Sequence, residues 1–224
     1  MKAVLILSGG MDSTTLLHYL VKVLHAEAQA LSFDYGQRHK KELKYASRSC
    51  RKLKVPHYIV KLASITPLIY NSALTNKNIN IPNGPYSKDN ITTTVVPNRN
   101  MIMLSIAIGY AENLNYNYVA IANHLGDHPI YPDCREEFIN AMNIASTLGT
   151  YNKIKIYAPF TNLTKGQIAF IGKKLGIDCD KETWSCYKGG RNHCNKCPTC
   201  LERIAALKEA NSITKLPKHL GVVL

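Results

Sequence analysis

The chain has 224 residues, of which 46% are hydrophobic and 19% are charged. This composition excludes a wholly disordered chain and a coiled coil, and the length allows one large domain with at most a small appendage. The longest apolar stretch, residues 101–111, is shorter than the roughly 17 residues needed to cross a bilayer. The pattern of a secretory signal is also lacking, so we expect a soluble, cytoplasmic protein that does not enter a membrane.

Basic residues exceed acidic ones by 28 to 15, which gives a formal net charge of +13 at pH 7. Such an excess suits polyanionic partners, either nucleic acid or small phosphorylated substrates. Most of the basic residues are lysines scattered along the chain, and the abundance of Asn, Lys and Ile is typical of AT-rich coding. The charge therefore does not establish nucleic-acid binding, and we do not expect nucleic acid as a partner.

Short apolar runs alternate with longer segments of helical periodicity. We predict helices between five strands, which cover residues 3–7, 28–33, 57–61, 118–122 and 155–158. This alternation predicts an α/β fold over residues 1–183, namely a doubly wound, five-stranded and mostly parallel sheet with helices on both faces. The helix over 100–113 is apolar nearly all round, so we expect it to be the most deeply buried helix.

Two segments depart from this alternation. Residues 64–98 are rich in Asn, Pro and Thr and have no sustained period. We predict that they form a long insertion over the active-site edge of the sheet, as a lid or a subunit contact. After Thr183 the chain becomes rich in Cys, and we predict that residues 184–224 form a metal-binding segment and a C-terminal helix over 199–209 packed on the main domain.

Four of the seven cysteines lie close together, at Cys186, Cys194, Cys197 and Cys200. In an intracellular chain such clustering indicates a metal site rather than disulfides. Four thiolates at these spacings suit one tetrahedral, structural Zn²⁺. The pattern C-x2-C-x2-C also begins iron–sulfur sites, so both metals stay open at this point. The other three cysteines are expected to be ordinary buried thiols.

The first predicted strand ends in the sequence SGGMDSTT, residues 8–15, and a helix is predicted from about Ser13. A Gly-rich turn between a strand and a helix exposes backbone N–H groups at the positive end of the helix dipole. Glycines also let the backbone approach an anion closely. The pattern fits neither G-x-x-x-x-G-K-[ST] nor G-x-G-x-x-G, so it predicts a phosphate-binding loop of another kind.

A second phosphate ligand is predicted at Lys165. The sequence TKGQ, residues 164–167, is typical of a capping box at the start of a helix. A lysine in the first helical turn opposes the helix dipole, which costs roughly a few tenths of a kcal/mol unless an anion lies in front of it. A solvated surface lysine is the alternative interpretation.

Three arginine-bearing loops are expected to lie near the carboxyl edge of the sheet. Their sequences are SFDYGQRH at 32–39, VPNRNM at 96–101 and IYPDCREEF at 130–138. Ligands of doubly wound sheets bind at this edge, so the three loops could meet at one site and bind a carboxylate. Each arginine taken alone could equally be an ordinary surface cation.

These segments resemble known proteins. The pattern S-G-G-x-D-S after the first strand resembles the PP-loop ATP pyrophosphatases, which cleave ATP between the α- and β-phosphates. The segments SGGMDSTT, SFDYGQRH, VPNRNM, YPDCREEFI and the terminal cysteines, in this order, resemble the 7-cyano-7-deazaguanine synthase family over residues 4–206. The chain departs from the pattern of that family at Asn98, where Gly is usual, and at 125–130, where an acidic-aromatic-Ser-Gly run is common.

The resemblance implies substrates, metals and site residues. It implies ATP, ammonia and 7-carboxy-7-deazaguanine as substrates, Mg²⁺ with ATP at Asp12, one structural Zn²⁺ on the four cysteines, and a homodimer. It implies catalytic roles for Asp12, Lys165 and Asp133, and it leaves Asp133 and His39 as candidates for a general base. The residues implied to bind ATP are Leu7, Ser8, Gly9, Gly10, Met11, Asp12, Ser13, Thr14 and Lys165. The residues implied to bind the deazapurine are Asp34, Tyr35, Gln37, Arg38, Arg99, Asn100, Asp133 and Arg135.

The resemblance also implies a reaction, in which adenylated acid and amide intermediates lead to the nitrile used in queuosine or archaeosine biosynthesis. Two other functions stay open. A tRNA-modifying PP-loop enzyme, of the thiolase or lysidine synthase type, would suit the basic charge, but 224 residues leave little room for an RNA-binding domain. A non-catalytic, zinc-bearing nucleic-acid binder would leave the motifs SGGMDS and FDYGQRH without a purpose.

Overall fold

The architecture is a five-stranded, all-parallel sheet with helices on both faces. A computed structural model describes residues 1–87 and 90–216 of the chain. The strands are β1 (Lys2–Ile6), β2 (Glu27–Asp34), β3 (His57–Lys61), β4 (Tyr118–Ala120) and β5 (Lys155–Tyr157). Their order across the sheet is β3-β2-β1-β4-β5. The chain thus builds outward from the centre to one edge and then to the other, which confirms the predicted doubly wound α/β fold.

Helices connect the strands and follow the last one. The α-helices within the described ranges are α1 (Met11–Lys22), α2 (Lys41–Leu53), α3 (Arg99–Asn113), α4 (Glu136–Gly149), α5 (Lys165–Lys174), α6 (Cys179–Glu182) and α7 (Pro198–Ser212). Short 3-10 helices lie at Ala63–Ile69, Ile91–Thr94, Leu125–Asp127 and Pro132–Cys134. The predicted helix over 199–209 is part of α7.

Alternate residues of the central strand β1 face the two halves of the core. On one face Leu5 packs with Leu16 of α1 and Ile168 of α5. On the other face Val4 packs with Leu104 of α3. Both faces of the sheet are covered by helices, as expected for parallel strands. The loops at the carboxyl ends of β1, β2 and β4 consequently lie at one edge, between the two helical layers.

The prediction that the helix over 100–113 would be the most deeply buried is wrong. Nine of 12 residues of α1 are buried, against five of 15 in α3, and Met101 of α3 is 38% exposed. The helices α2 and α5 both pack against α1, whereas α3 packs against the sheet, α4 and the 3-10 helix at Pro132–Cys134 and leaves its remaining side in solvent. An apolar composition therefore does not show how many neighbours cover a helix.

The predicted insertion packs on the cysteine-bearing segment. Ile81 is buried together with Trp184 and the cysteines. The amide of Gly84 donates a hydrogen bond to the carbonyl of Lys196 at 2.8 Å. This part of the insertion consequently shares a small core with the segment that follows α6.

The C-terminal helix α7 packs against α5, and its residues Ala206 and Ala210 belong to the same half of the core as α1. Residues 88–89 of the predicted insertion and 217–224 of the predicted C-terminal segment lie outside the part of the chain that the structure describes. Across the described ranges, every helix is too short or too polar to span a membrane.

Candidate active site

The loop between β1 and α1 presents open backbone amides to a cleft of about 200 Å³. Gly10 is the N-cap of α1 and has no side chain with which to cap the first amides of the helix. The hydroxyls of Ser8 and Ser13 lie 2.9 Å apart, and Ser13 Oγ also accepts a hydrogen bond from the Ser8 amide at 3.1 Å. The loop is held in a defined curve at a helix N-terminus, which suits a bound anion.

Gly9 is required where this loop packs on α2. Its φ is +85°, and a Cβ atom at this position would clash with the carbonyl oxygen of Glu42 and lie 2.8 Å from the amide nitrogen of Ala46. A side chain would therefore push the phosphate loop away from α2.

Among the residues predicted to bind ATP, Gly9 faces α2 and Thr14 is buried in α1. The others line the cleft: Leu7, Ser8, Gly10, Met11, Asp12, Ser13 and Lys165.

The first turn of α5 places Lys165. Thr164 is the N-cap and accepts from the Gln167 amide at 3.1 Å, while the Gln167 side chain accepts from the Thr164 amide at 2.8 Å. This reciprocal pair confirms the predicted capping box. Lys165 is the first residue of the helix, so its charge is unfavourable toward the helix dipole and must be offset by negative groups.

Three carboxylates surround Lys165. Its Nζ lies 2.8 Å from Glu202 Oε2 and 3.4 Å from Asp12 Oδ2. His124 Nε2 lies 3.4 Å from the same Nζ and 3.5 Å from Asp127 Oδ1. The Nδ1 atom of His124 accepts a backbone N–H at 3.0 Å, so the neutral ring carries its proton on Nε2. The cluster thus joins α1, α5, α7 and the loop after β4.

The charges of this cluster are coupled. Burial alone would lower the pKa of Lys165, but the carboxylates of Asp12, Glu202 and Asp127 hold it well above its usual value. Burial raises the pKa of Asp127 against the opposing effects of His124 and Lys165. Because three acidic groups face one lysine, a bound cation would be stabilised here.

Sequence reasoning missed three members of this cluster. His124 and Asp127 lie next to or within the stretch 125–130, where the sequence departs from the family pattern, and that departure is the signal that could have found them. Glu202 belongs to α7, and its neighbours in the sequence carry no such signal. Its position depends on the packing of α7 against α5.

The α3 side of the cleft carries three of the residues predicted to bind the deazapurine, namely Tyr35, Arg99 and Asn100. The Arg99 guanidinium donates to the Tyr35 hydroxyl at 3.4 Å. Burial raises the pKa of Tyr35 to about 12, so its phenol stays neutral at physiological pH. Further aromatic side chains line the cleft: Phe33, Tyr131, Trp184 and Tyr187. This part of the cleft therefore offers a half-buried cation among aromatic rings.

The other residues predicted to bind the deazapurine do not line the cleft: Asp34, Gln37, Arg38, Asp133 and Arg135. Asp34 accepts from Lys40 Nζ at 2.8 Å. The Gln37 amide donates to the Glu42 carboxylate at 3.1 Å. Arg38 donates to a backbone carbonyl of the insertion at 3.0 Å. These three side chains hold the loop after β2 in place.

Asp133 and Arg135 hold the loop before α4. Asp133 Oδ2 accepts from the Asn100 amide at 2.9 Å, at the N-terminus of α3, where a negative charge is favourable. Arg135 is exposed and donates to the His128 carbonyl at 3.0 Å. Asp133 thereby fixes the start of the helix that carries Arg99.

Three tyrosine hydroxyls connect the insertion to the wall of the cleft. The Tyr86 hydroxyl lies 3.3 Å from that of Tyr131 and 3.2 Å from that of Tyr187, and the last two lie 3.3 Å apart. Burial raises the pKa of Tyr86 and of Tyr187 well above the usual value, so both phenols are neutral. The insertion is thus anchored beside the cleft through Tyr86.

The four clustered cysteines converge on one point. Their Sγ atoms all lie within 4.8 Å of one another, and all but Cys194 are buried. The amides of Lys196 and Cys197 donate to Cys194 Sγ at 3.4 and 3.3 Å. Hydrogen bonds within the cluster, first of all that of Cys197, hold the pKa of Cys186 below its usual value. Four convergent sulfurs with amide donors around them are suited to hold a thiophilic metal ion.

A parallel sheet in this order, with an open phosphate loop after its first strand, defines an α/β protein of the PP-loop type. Two solved structures share the fold at a TM-score of 0.51. One is a U34-tRNA thiolase, NcsA from Methanococcus maripaludis, at 13% identity over 95% of this chain and 73% of that chain. The other is an NH3-dependent NAD synthetase from Campylobacter jejuni, at 19% identity over 98% of this chain and 80% of that chain. Such identities establish a common fold and no more.

The chain belongs to the family described as queuosine biosynthesis protein QueC, whose family model matches residues 2–211. It is 49% identical over 209 residues to a 7-cyano-7-deazaguanine synthase of Caldicellulosiruptor saccharolyticus, covering 93% of this chain and 92% of the relative. It is 47% identical over 216 residues to the protein of that name from Methanoregula boonei, covering 96% of this chain and 98% of the relative. The family indicated by the sequence motifs is thereby confirmed.

Proposed function

We propose that the protein is an ATP-dependent, AMP-forming ligase that makes 7-cyano-7-deazaguanine from 7-carboxy-7-deazaguanine and ammonia. The observation that carries this proposal is a single cleft with the phosphate loop and Lys165 in one part and Arg99 with Tyr35 in another. The first part suits a polyphosphate, and the second suits a planar heteroaromatic acid. The names of the near full-length relatives support this choice of substrate.

In the proposed reaction the substrate is activated twice. The carboxylate attacks the α-phosphate of ATP, pyrophosphate leaves, and ammonia then displaces AMP from the acyl-adenylate to give the amide. The amide oxygen then attacks the α-phosphate of a second ATP, and pyrophosphate leaves again. Loss of AMP and of the protons on the nitrogen gives the nitrile. Each activation converts a poor leaving group into a good one, so the protein mainly positions the reactants and neutralises charge.

Each part of the cleft has a role in this reaction. The amides of the phosphate loop bind the departing pyrophosphate, and Lys165 neutralises the charge that develops on it. Arg99 pairs with the carboxylate before activation. Asp133 acts indirectly in this proposal, because it fixes the start of α3 and hence the position of Arg99. The loop residues Asp34, Gln37 and Arg38 likewise act by positioning Tyr35.

Asp12 and Asp127 are the residues we propose for a Mg²⁺ that accompanies ATP. Oδ1 of Asp12 is buried and has no hydrogen-bond partner among the residues that the structure describes. Carboxylate oxygens are preferred Mg²⁺ ligands, and the carboxylates of Asp12 and Asp127 both lie near His124 Nε2, at 3.9 and 3.5 Å. When bound, the ion supplies charge neutralisation for the polyphosphate.

We propose that the four cysteines hold one structural Zn²⁺. Zn–S bonds of about 2.3 Å in a tetrahedron bring the sulfurs to roughly 3.8 Å from one another, and those of Cys194 and Cys200 lie 3.9 Å apart. A cubane iron–sulfur cluster binds each cysteine through a different iron atom and spreads the sulfurs farther apart. Adenylation transfers no electrons, which also favours zinc.

Reduced thiolates suit the cytoplasm, the compartment we propose.

We propose that two copies associate through the outer face of α4 and the turn that follows it. Ile144 is 60% exposed, Leu148 82% and Tyr151 100%. A twofold contact would remove this apolar surface from water in both copies at once. Light scattering is expected to give the mass of two 25.0 kDa chains. Leu148→Glu is expected to give single chains, while Ile204→Glu on α7 stays dimeric; a wild-type monomer would contradict the proposal.

A product assay tests the proposed reaction. The protein is mixed with Mg-ATP, ammonium and 7-carboxy-7-deazaguanine, and the products are identified by mass spectrometry. We expect the nitrile, with two AMP formed per nitrile. Asp12→Asn and Lys165→Ala are expected to abolish AMP formation, while Lys173→Ala, exposed in the last turn of α5, retains it. Arrest at the amide would contradict the proposed product, and the absence of AMP from metal-replete protein would contradict the proposed chemistry.

A further inference from the structure

His39 and Glu42 form a buried pair in the wall of the cleft. His39 is 4% exposed and Glu42 is 9% exposed, and both line the cleft. His39 Nε2 lies 3.3 Å from Glu42 Oε2. The other carboxylate oxygen accepts from the Gln37 side chain at 3.1 Å, which fixes the carboxylate. Neither side chain belongs to the phosphate loop, the Lys165 cluster or the pair of Arg99 and Tyr35.

The carboxylate determines which nitrogen of His39 carries the proton. A negative oxygen 3.3 Å from Nε2 stabilises the tautomer protonated at Nε2. Nδ1 then presents a lone pair, and within the described part of the chain this buried atom has no hydrogen-bond partner. A buried acceptor without a donor costs free energy, so the position is suited to a ligand that brings an N–H group.

The charged groups around His39 are engaged elsewhere. The ammonium of Lys40 contacts Asp34 at 2.8 Å, and the Arg38 guanidinium donates to backbone carbonyls of the insertion. From the cysteine-bearing segment, the Tyr187 ring packs on the imidazole with centroids 5.3 Å apart. Burial raises the pKa of Tyr187 well above its usual value, so this neighbour is neutral. The Glu42 carboxylate is thus the charge that faces the ring most closely.

Asp133 is the second residue that the sequence offers as a general base. Its carboxylate accepts the Asn100 amide at 2.9 Å and does not line the cleft. A carboxylate that already accepts a backbone N–H and lies outside the cleft is not placed to take a proton from a bound reactant. The geometry therefore favours His39.

We propose that His39 is the general base of the ammonia-dependent step and that Glu42 is its positioning residue. This proposal rests on the proposed function, because it concerns the acyl-adenylate formed there. The lone pair of ammonia forms the C–N bond, the bond between the acyl carbon and the adenylate oxygen breaks, and AMP leaves with that electron pair. The proton released by the nitrogen goes to Nδ1 of His39.

Single-turnover kinetics separates adenylation from the ammonia-dependent step. The enzyme is first given 7-carboxy-7-deazaguanine and Mg-ATP without ammonium, and pyrophosphate release is measured; ammonium is then added, and amide formation is measured. We expect His39→Gln to release pyrophosphate within about twofold of the wild-type rate and to form amide about 100-fold more slowly. His25→Asn, at an exposed turn with φ 47° that Asn tolerates, is the matched control and is expected to change neither rate.

The dependence of the second step on pH distinguishes a base from a merely structural residue. At a fixed concentration of free ammonia, the wild-type rate of amide formation is expected to fall toward low pH with one ionisation, and His39→Gln is expected to lack this acidic limb. Glu42→Gln is expected to slow amide formation about tenfold with little effect on pyrophosphate release, and it carries the test if His39→Gln does not fold.

Four results would overturn the proposal. Equal losses of rate in both steps of His39→Gln would assign His39 a general structural role. An unchanged rate of amide formation in this variant would exclude His39 as the base. A wild-type protein that releases no pyrophosphate would overturn the proposed function, and this proposal with it. A wild-type protein that completes both steps while His39→Gln keeps the acidic limb would overturn this proposal alone.

Discussion

The backbone amide of Trp184 donates a hydrogen bond to the carbonyl oxygen of Gly9 at 2.9 Å. This bond joins the segment that carries the four cysteines to the phosphate loop. The Trp184 indole in turn donates to the carbonyl of Cys186 at 3.1 Å, and the Lys41 ammonium lies 3.8 Å from the centroid of its ring. The conformations of the cysteine cluster and of the phosphate loop are therefore coupled through Trp184.

Removal of the metal is accordingly expected to impair ATP use as well as stability. Cys197→Ala should lose its bound ion and have a lower melting temperature, because a structural metal site contributes directly to folding. We also expect the variant to form AMP roughly tenfold more slowly, or slower still. Elemental analysis should find one zinc per wild-type chain and almost none in the variant. Cys50→Ala, a buried thiol of the main core, serves as control and should keep its zinc. Iron in place of zinc would contradict the assignment.

Gly9→Ala is expected to damage the phosphate loop, whereas Gly10→Ala is not. At Gly9 the new methyl would meet the backbone of α2 at a positive φ, while at Gly10 it would lie 3.2 Å from a side-chain oxygen, that of Ser8. Strain at such a position typically costs about 1–3 kcal/mol. Urea unfolding measures the difference in stability, and pyrophosphate release measures the loop. Equal behaviour of the two variants would contradict this account of the loop.

Arg99→Ala is expected to raise the Michaelis constant for the deazapurine acid while adenylation at saturating acid is less affected. A charge-assisted hydrogen bond to a carboxylate is worth about 1.5–3 kcal/mol, which corresponds to roughly a 10- to 100-fold change. Steady-state AMP formation at varied acid and at varied ATP separates the two substrates. Arg48→Ala, exposed on α2, is the control. A higher Michaelis constant for ATP alone would place Arg99 beside the nucleotide instead.

The protein is expected to become less stable as the pH is lowered below 6.5, because of His18. The ring is fully buried, and burial lowers its pKa from 6.5 to about 4, with smaller contributions from Lys22 and Lys52. Between these values the unfolded chain binds a proton that the folded chain does not. The stabilising effect of the neutral His18 ring is thus fully present above pH 6.5 and is lost as the pH falls toward 4. The loss lowers the free energy of unfolding by at most about 3 kcal/mol.

Urea unfolding between pH 4.5 and pH 7.5 measures this effect of His18. We expect the slope of the free energy of unfolding against pH to be reduced in His18→Leu, and to be retained in His25→Asn, whose ring is exposed. Identical slopes in the wild type and in His18→Leu would show that other groups account for the loss of stability.

The short-range features of this protein are determined by the sequence itself. The five strands, the glycine-rich turn after β1 and the capping box before Lys165 follow from the properties of consecutive residues, because apolar periodicity, glycine and capping side chains act over one turn or one strand. Four cysteines at metal-ligand spacings belong to the same category, since such spacings within one short segment are typical of metal sites. These features were sufficient to predict the fold and the family.

The tertiary structure decided which polar side chains enter the cleft. Asp34, Arg38 and Asp133 belong to the motifs that predicted the substrate site, yet they hold loops. Glu202 lies on a helix with no recognisable motif, yet it contacts Lys165, which lines the cleft. The direction of a side chain in a loop depends on partners that are distant in sequence, such as the insertion for Arg38 and the start of α3 for Asp133. Such packing is long-range, so the chemistry of the cleft emerges only when the helices have packed on both faces of the sheet.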